Sequence, residues 1–140
     1  MMILQDAKQF LDQFETCVLA TVGKKNQPQA ATVGFSVDDD FKVMVATNEK
    51  TRKATNLAEN AKVALVVGFE GPKTLQLEGI AEKLNKAEYQ DRINLHFEKV
   101  PGAKKFAGEA GQNYYLITPT WLRFTDYTNE NPIFETKDFL

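Results

Sequence analysis

Hydrophobic residues recur along the chain at two spacings, and each spacing predicts a different kind of element. Apolar residues at helical spacing predict three helices, over residues 5–14, 51–60 and 86–99. Apolar or alternating segments bounded by turn residues predict six strands, at residues 17–22, 33–37, 41–47, 63–69, 75–82 and 114–124. Because only one helix separates strands in the first half, the pattern favours a mainly β fold, an antiparallel six-stranded β-barrel with peripheral helices.

Three local features add detail to the predicted strands. The segment 63–69 is apolar on both faces, so we expect it to be covered on both sides. Gly79 inside a strand predicts a bulge or a close backbone approach, and Pro119 predicts a bend or an interruption in the last strand.

The length and composition suit one domain. With 140 residues and 43% hydrophobic content, the chain can bury a core, and we expect a single domain over residues 1–140. Its end, residues 129–140, is expected to be loose unless Phe134 and Phe139 dock on a neighbouring surface.

Charge and residue usage argue against several classes of function. The net charge is −2 and no basic stripe follows any predicted element, so neither nucleic acid nor a membrane is an expected partner. Without a recognisable signal peptide or spanning segment, we expect a cytoplasmic protein. One cysteine and one histidine argue against a zinc or iron site. Cys17 is expected in the core, and His96 at the surface or its boundary.

The start of the second predicted helix carries the clearest chemical signal. Lys50, Arg52 and Lys53 surround its first turn, where free N–H groups and the helix dipole already provide positive charge. A bound anion would resolve this conflict, because the amides, the Thr51 hydroxyl and the cations could all contact phosphate oxygens. The alternative is an ordinary exposed helix end whose charges are screened by solvent.

Signatures of self-contained catalysis are absent from the sequence. There is no dinucleotide-binding glycine motif, Walker loop or nucleophile elbow. The three consecutive acids of residues 38–40 are typical of a solvated turn and not of a cation site. If the protein is an enzyme, a cofactor must supply the chemistry.

An ordered set of motifs resembles the FMN-binding split barrels related to pyridoxamine 5'-phosphate oxidase. The resemblance covers about residues 5–127, and no single piece of it is specific. A Thr-Asn strand end, a Thr-Arg-Lys helix start, an Asn-Leu turn, a Val-rich strand and a Gln-x-x-Gly-x-Ala strand follow one another. The matching residues are Thr47, Asn48, Thr51, Arg52, Lys53, Asn56, Leu57, residues 63–67, Gln76, Gly79 and Ala81.

This resemblance implies a homodimer with FMN in clefts between the subunits. Arg52 and Lys53, helped by Thr51 and with Lys50 nearby, would hold the 5'-phosphate. The remaining implied contacts to the ribityl chain, the ring or the cleft come from Thr47, Asn48, Ala31, Thr32, Val33, Gln76, Trp121 and Arg123. Simpler roles stay open for four of them.

Those simpler roles are structural. Thr47 could cap a strand end, and Gln76 could lie on the wet side of its strand. Trp121 could be a core anchor, and Arg123 a paired surface charge.

Two departures from the family pattern argue against vitamin B6 oxidase activity itself. Ala31 and Ser36 stand where those oxidases carry an Arg and a Lys for FMN. Arg123-Phe124-Thr125 stands where they carry an Arg-x-His element for the substrate phosphate. The resemblance therefore implies an FMN-dependent oxidoreductase acting on an unidentified small molecule, with NAD(P)H as a candidate electron source.

Other ligands and roles remain open at this stage. The same fold could hold haem, deazaflavin or pyridoxal phosphate. It could also serve as a non-catalytic flavin-binding or redox-sensing module, or as a dimer without any cofactor.

Overall fold

The chain folds into one antiparallel sheet with three helices around it. The computed structural model describes residues 1–139. The helices are α1 (Leu4–Asp12), α2 (Arg52–Glu59) and α3 (Gln90–Lys99). The strands are β1 (Thr16–Val22), β2 (Pro28–Val37), β3 (Val43–Asn48), β4 (Lys62–Val67), β5 (Lys73–Lys83), β6 (Gln112–Asp126) and β7 (Ile133–Thr136). Short 3-10 helices at Lys24–Asn26 and Pro101–Phe106 complete the elements.

The sheet closes into a barrel of six strands. Its order is β3-β2-β1-β4-β5-β6-β7, and an additional pairing of β3 with β6 closes the ring. The 15-residue β6 pairs with β3 through its first half and with β7 near its end, so β7 lies outside the barrel. The predicted six-stranded antiparallel barrel is therefore confirmed, with a seventh strand that the sequence analysis did not predict.

The irregularity predicted at Gly79 is present. The register between β5 and β6 shifts between Glu78 and Gly79, and Gly79 pairs with Pro119. A Cβ on Gly79 would lie 2.6 Å from the Thr118 carbonyl oxygen, so the backbones approach too closely for any side chain. β6 stays continuous through Pro119 because the bulge absorbs the missing donor.

The barrel interior is a single hydrophobic cluster. Alternate residues of the strands point inward, among them Leu19, Phe35 and Leu77, and α1 closes one end with Phe10 and Leu11. The end of the chain is tied to this core, because β7 pairs with β6 and Phe134 and Phe139 pack against the cluster. Phe134 and Phe139 therefore dock on the core, and the expectation of a loose tail is not met by the segment that carries them.

Outside the barrel, α3 covers one face and buries a second, smaller cluster. Ile93 of α3 packs with Met44, Leu84, Tyr114 and Leu116. The predicted helix over residues 86–99 begins later than expected, at Gln90.

The expectation that His96 lies at the surface was wrong. Its side chain is 1% exposed, because its Nδ1 lies 2.7 Å from the buried Ser36 Oγ of β2. Arg92 Nη1 donates to the same Oγ at 3.0 Å, and Arg92 Nε lies 3.5 Å from Asp38 Oδ2. These contacts hold α3 to the barrel.

The opposite outer face, formed by β1, β4 and β5, has no covering element within residues 1–139. Val63, Leu65 and Val67 of β4 are buried in the core, whereas Ala64 and Val66 face outward and are half-buried. The expectation that this segment is covered on both sides was therefore wrong for the single chain. We call this outer surface of β1, β4 and β5 the bare face.

Candidate cofactor site

The cation-rich end of α2 begins with a well-defined cap. Thr51 is the N-cap residue, and its Oγ1 accepts a hydrogen bond from the Ala54 amide at 3.2 Å. The same hydroxyl donates to the Asn48 carbonyl at 2.9 Å and lies 2.7 Å from Thr47 Oγ1. The helix start is thus fixed to the end of β3, and no acidic residue lies in its first turn.

A chain of side-chain hydrogen bonds orients Arg52 towards the barrel. Arg52 Nε donates to Gln29 Oε1 at 2.8 Å, and Asn56 Nδ2 donates to the same oxygen at 3.0 Å. Asn56 also donates to Thr21 Oγ1 at 2.9 Å. Because one amide oxygen receives both donors, the Arg52 side chain is held against β2.

Lys53 lies beside this arrangement without a protein partner. Within residues 1–139 its side chain makes no hydrogen bond or ion pair, and it lines a pocket of about 240 Å³ with Arg52. Thr21, Gln29, Ala30 and Ala31 complete the lining. We call this pocket the cation corner. It places two cations next to the second-strand segment that the sequence analysis selected.

The cation corner lies next to the bare face. A groove of about 560 Å³ shares Thr21 with the corner, and a groove of about 380 Å³ shares Ala20, Ala64 and Glu78 with the first groove. The corner alone is small for a cofactor, whereas each of the two grooves falls in the size range of ligand sites.

The strand register gives the bare face a regular pattern. One cross-strand row runs from Thr32 through Val18, Val66 and Gln76 to Arg123. The next row contains Ala30, Ala20, Ala64, Glu78 and Trp121. Small or β-branched apolar residues thus form the middle of the face, and the polar Gln76 and Glu78 form its β5 side, next to Arg123 and Trp121 of the flanking β6. A flat aromatic group could lie on the middle.

Some of the predicted site residues are committed to the fold. Asn48 Nδ2 donates to the Ala110 carbonyl, and its Oδ1 accepts from the Lys50 amide. Thr47 is buried, and the Val33 side chain points into the core, so only the backbone of Val33 faces outward. Lys50 is exposed in the turn before α2.

Of the predicted site residues on β5 and β6, some are free to contact a ligand and one is already paired within the chain. Gln76 is exposed on the bare face, and Trp121 is half-buried beside it. Arg123 is paired, because its Nη2 lies 2.6 Å from Glu135 Oε1 of β7, and its Cζ lies over the Trp121 ring, 5.6 Å from the ring centroid. The structure therefore brings Ala31, Arg52 and Lys53 together but places Arg123 several strands away.

Sequence reasoning did not name Gln29 or Thr21, and it named Asn56 as part of a family motif without a role in the cation corner. Gln29 and Thr21 face each other across the β1–β2 hairpin, and Asn56 lies one helical turn after Arg52. Only the spacing of Arg52 and Asn56, four residues apart, could have signalled that both reach the same strand. Gln29 gave no signal, because a single glutamine after a turn proline is ordinary.

Residues that commonly bind metals are unavailable or scattered. Across residues 1–139, no group of three His, Cys, Asp or Glu side chains could hold a metal ion. Cys17 is fully buried, and its burial raises the pKa of the thiol to about 12. None of the described helices has the length and apolarity needed to cross a bilayer.

Comparison with known proteins agrees with this description. The sequence profile of pyridoxamine 5'-phosphate oxidase matches residues 3–126. A pyridoxine/pyridoxamine 5'-phosphate oxidase of Thermosynechococcus vestitus is 30% identical over 100 residues, which are 71% of this chain and 46% of that protein. This chain therefore matches less than half of that relative's length.

Two solved structures share the fold at low identity. A haem-binding protein of Mycobacterium smegmatis has a TM-score of 0.81 and 16% identity, covering 94% of this chain and 56% of that one. An FAD-binding protein of Mesorhizobium loti has a TM-score of 0.73 and 15% identity, covering 86% and 90%. The fold and its lateral groove thus define a split-barrel protein. The chain belongs to the pyridoxamine 5'-phosphate oxidase family.

Proposed function

We propose that this protein binds FMN, with the phosphate in the cation corner and the flavin along the bare face. The observation that carries the proposal is that Arg52 and Lys53 line one pocket at the start of α2. The Lys53 side chain has no partner there within residues 1–139. Two cations and a helix start in one pocket favour a dianionic group such as a phosphate monoester. The flavin would supply hydride or electron transfer when bound.

The corner is prepared for such a ligand. Gln29 accepts a hydrogen bond from Arg52 Nε and is itself held by Asn56, so the Arg52 side chain loses less freedom when its guanidinium binds phosphate. Arg52 Nε is used by Gln29, which leaves its terminal nitrogens for the ligand.

The bare face suits a flat aromatic ring. Val18, Ala20, Ala64 and Val66 give a shallow apolar surface, and Gln76 at its edge offers an amide to ring heteroatoms. The exposed Thr32 and the outward backbone of β2 border the same surface. Residues 31–33 would therefore contact the ring edge through backbone groups.

Haem, which the Mycobacterium smegmatis protein binds, is less well suited to this chain. Haem iron is usually held by His, Cys, Met or Tyr. The one histidine is enclosed between Ser36 and α3, and the one cysteine lies in the barrel core. Neither can reach a ligand on the bare face. Met44, Tyr114 and Tyr115 are buried, and no Met or Tyr among the described residues lines the two grooves of the bare face.

A second copy of the chain is the proposed cover of the bare face. An apolar face of this kind, open on one side, is typical of a surface that associates. Two copies facing each other would also enclose the flavin. We propose a homodimer that acts on a small molecule stacked against the flavin, with NAD(P)H as the electron source.

Absorption of the purified protein tests the cofactor. We expect a yellow sample with a band near ~450 nm that bleaches with NADH or NADPH. A flavin band without bleaching would favour a non-catalytic flavin-binding module, and a band near ~400 nm would indicate haem and contradict the proposal.

Light scattering of matched charge variants tests the dimer. Wild-type protein should have the mass of two chains, and Val66→Glu should be monomeric because it places a carboxylate in the middle of the apolar face. Ala87→Glu adds the same charge at an exposed turn and should stay dimeric. A monomeric wild type would contradict the proposal.

A further inference from the structure

Arg123 and Trp121 already hold a carboxylate on the outer surface of β6. Both side chains project from the same face of the strand, two residues apart, and the guanidinium lies over the indole ring at cation–π distance, with 5.6 Å between the Arg123 Cζ and the ring centroid. Glu135 Oε1 accepts from Arg123 Nε at 2.8 Å and lies 2.6 Å from Nη2. The occupant comes from the chain itself.

The chemistry around Glu135 favours its charged form. The pKa of Glu135 lies below its usual value, and the hydrogen bond from Arg123 is the largest cause. The positive charge of Arg123 and a hydrogen bond from Trp121 lower this pKa further. The contacts to the indole and to Glu135 limit the freedom of the guanidinium, so its planar fork is already oriented for a carboxylate.

The occupant can leave without unfolding the strand that carries it. Phe134 packs against the core on the other side of β7, and Phe139 packs against Phe41 in a tilted contact with 5.7 Å between ring centroids. These contacts anchor the backbone, while the Glu135 and Arg123 side chains are each 43% exposed. An exposed ion pair of this kind is weak, so a rotation of Glu135 alone would free Arg123.

Arg123 also lies where a substrate of the proposed cofactor site could reach it. Gln76 of the bare face pairs directly with Arg123 across β5 and β6. We propose that Arg123 and Trp121 form a binding site for the carboxylate of a small-molecule ligand, and that Glu135 occupies this site as an internal competitor until the ligand displaces it. The role as a substrate site rests on the proposed function, but carboxylate binding itself does not.

Fluorescence of the protein without cofactor tests this proposal directly, because Trp121 is the only tryptophan. Sodium acetate is titrated at constant ionic strength, with chloride as the blank. We expect a saturable change in Trp121 emission, and about two- to fivefold tighter acetate binding in Glu135→Gln because a weak competitor has been removed. Arg123→Gln should lose the response, and Arg123→Lys should weaken it because the planar fork is lost.

Each contrary outcome overturns a defined part of the proposal. No saturable response in wild type or in Glu135→Gln, or an unchanged response in Arg123→Gln, rejects the site. Equal affinity in wild type and Glu135→Gln rejects the competitor role. A response to phosphate without one to acetate rejects the carboxylate assignment.

Circular dichroism checks that the variants fold, and Arg123→Lys serves if Arg123→Gln does not. Repeating the titration in Arg52→Ala/Lys53→Ala separates this site from the cation corner. A response that persists there leaves carboxylate binding intact even if FMN binding fails.

Discussion

The cationic side chains on the two outer faces of the barrel differ in whether they have charged or hydrogen-bonding partners within the protein. On the face covered by α3, Arg92 donates to Ser36 and lies beside Asp38, and Lys99 Nζ donates to the Phe14 carbonyl at 2.6 Å. At the edge of the bare face, Lys53 has no partner within residues 1–139, and Arg52 contacts only the neutral Gln29. Positive charge is consumed by the fold on one face and left available on the other.

The apolar residues of the two faces differ in how far they are buried. Met44 is fully buried under α3, whereas Val66 on the bare face is only half-buried. On the covered face, Arg92 Nε has no hydrogen-bond partner within residues 1–139, but it lies 3.5 Å from the Asp38 carboxylate, so the charges and apolar groups of this face find partners within the chain. A face on which both are unsatisfied is arranged for something that the chain does not contain, which is why we place the cofactor and the second subunit there.

Removing the free cations should have the largest effect on this contrast. If Arg52 and Lys53 both contact phosphate, Arg52→Ala/Lys53→Ala should weaken FMN binding by roughly 3–6 kcal/mol, since a hydrogen bond to a charged group contributes about 1.5–3 kcal/mol. Calorimetric titration with FMN measures the loss.

A matched pair of exposed lysines provides the control. Lys104→Ala/Lys105→Ala removes the same charge from the 3-10 segment after α3 and should leave FMN affinity unchanged. Equal losses in the two double variants would mean that the effect is one of net charge and not of the corner.

Truncating one apolar side chain on each face should lower the free energy of unfolding by different amounts on the two faces. Met44→Ala should lower the free energy of unfolding by about 2–5 kcal/mol at any protein concentration, because it leaves a cavity under α3. Val66→Ala should cost less than about 1.5 kcal/mol in dilute protein, and its cost should grow with concentration as the dimer forms. Urea unfolding at two concentrations measures both, and identical behaviour of the two variants would remove the contrast.

The covered face should also be sensitive to acid. Burial first, and then the charges of Arg92 and Lys99, lower the pKa of His96 from 6.5 to about 4. His96 therefore binds a proton at a lower pH in the folded state than in the unfolded chain. This contribution to stability is complete above pH 6.5 and is lost as the pH falls towards 4, by about 3 kcal/mol in all.

His96→Phe isolates this effect from the other acid-sensitive groups. The variant should lose about 1 kcal/mol at pH 7, because the hydrogen bond to Ser36 is gone. Its deficit relative to wild type should shrink and then reverse as the pH falls from 6.5 to 4. Unfolding curves across this range measure the difference, and a constant deficit would mean that His96 is not held neutral.

The local pattern of the sequence was sufficient for the barrel and for the cation corner. Alternation located the strands, and the conflict between Arg52, Lys53 and the helix dipole pointed to the corner that the structure contains. Gly79 was equally readable, because a glycine within a strand usually marks a bulge or a close approach of two backbones. These features depend on residues that are neighbours along the chain.

Features that depend on distant partners were not readable. His96 is buried by Ser36, which lies 60 positions away, and nothing in its own helix signals that contact. The outward residues Ala64 and Val66 look the same in the sequence whether the same chain or a second one covers them. β7 is only four residues long, and it forms because β6 offers it an edge.

The affinity of the wild-type protein for FMN compared with riboflavin tests the central claim most directly, because the two ligands share the ring and differ by the phosphate. We predict that FMN binds at least ~100-fold more tightly, which corresponds to the lower end of two charge-assisted contacts. Equal affinity for the two ligands would contradict the account, because it would show that Arg52 and Lys53 do not anchor the cofactor.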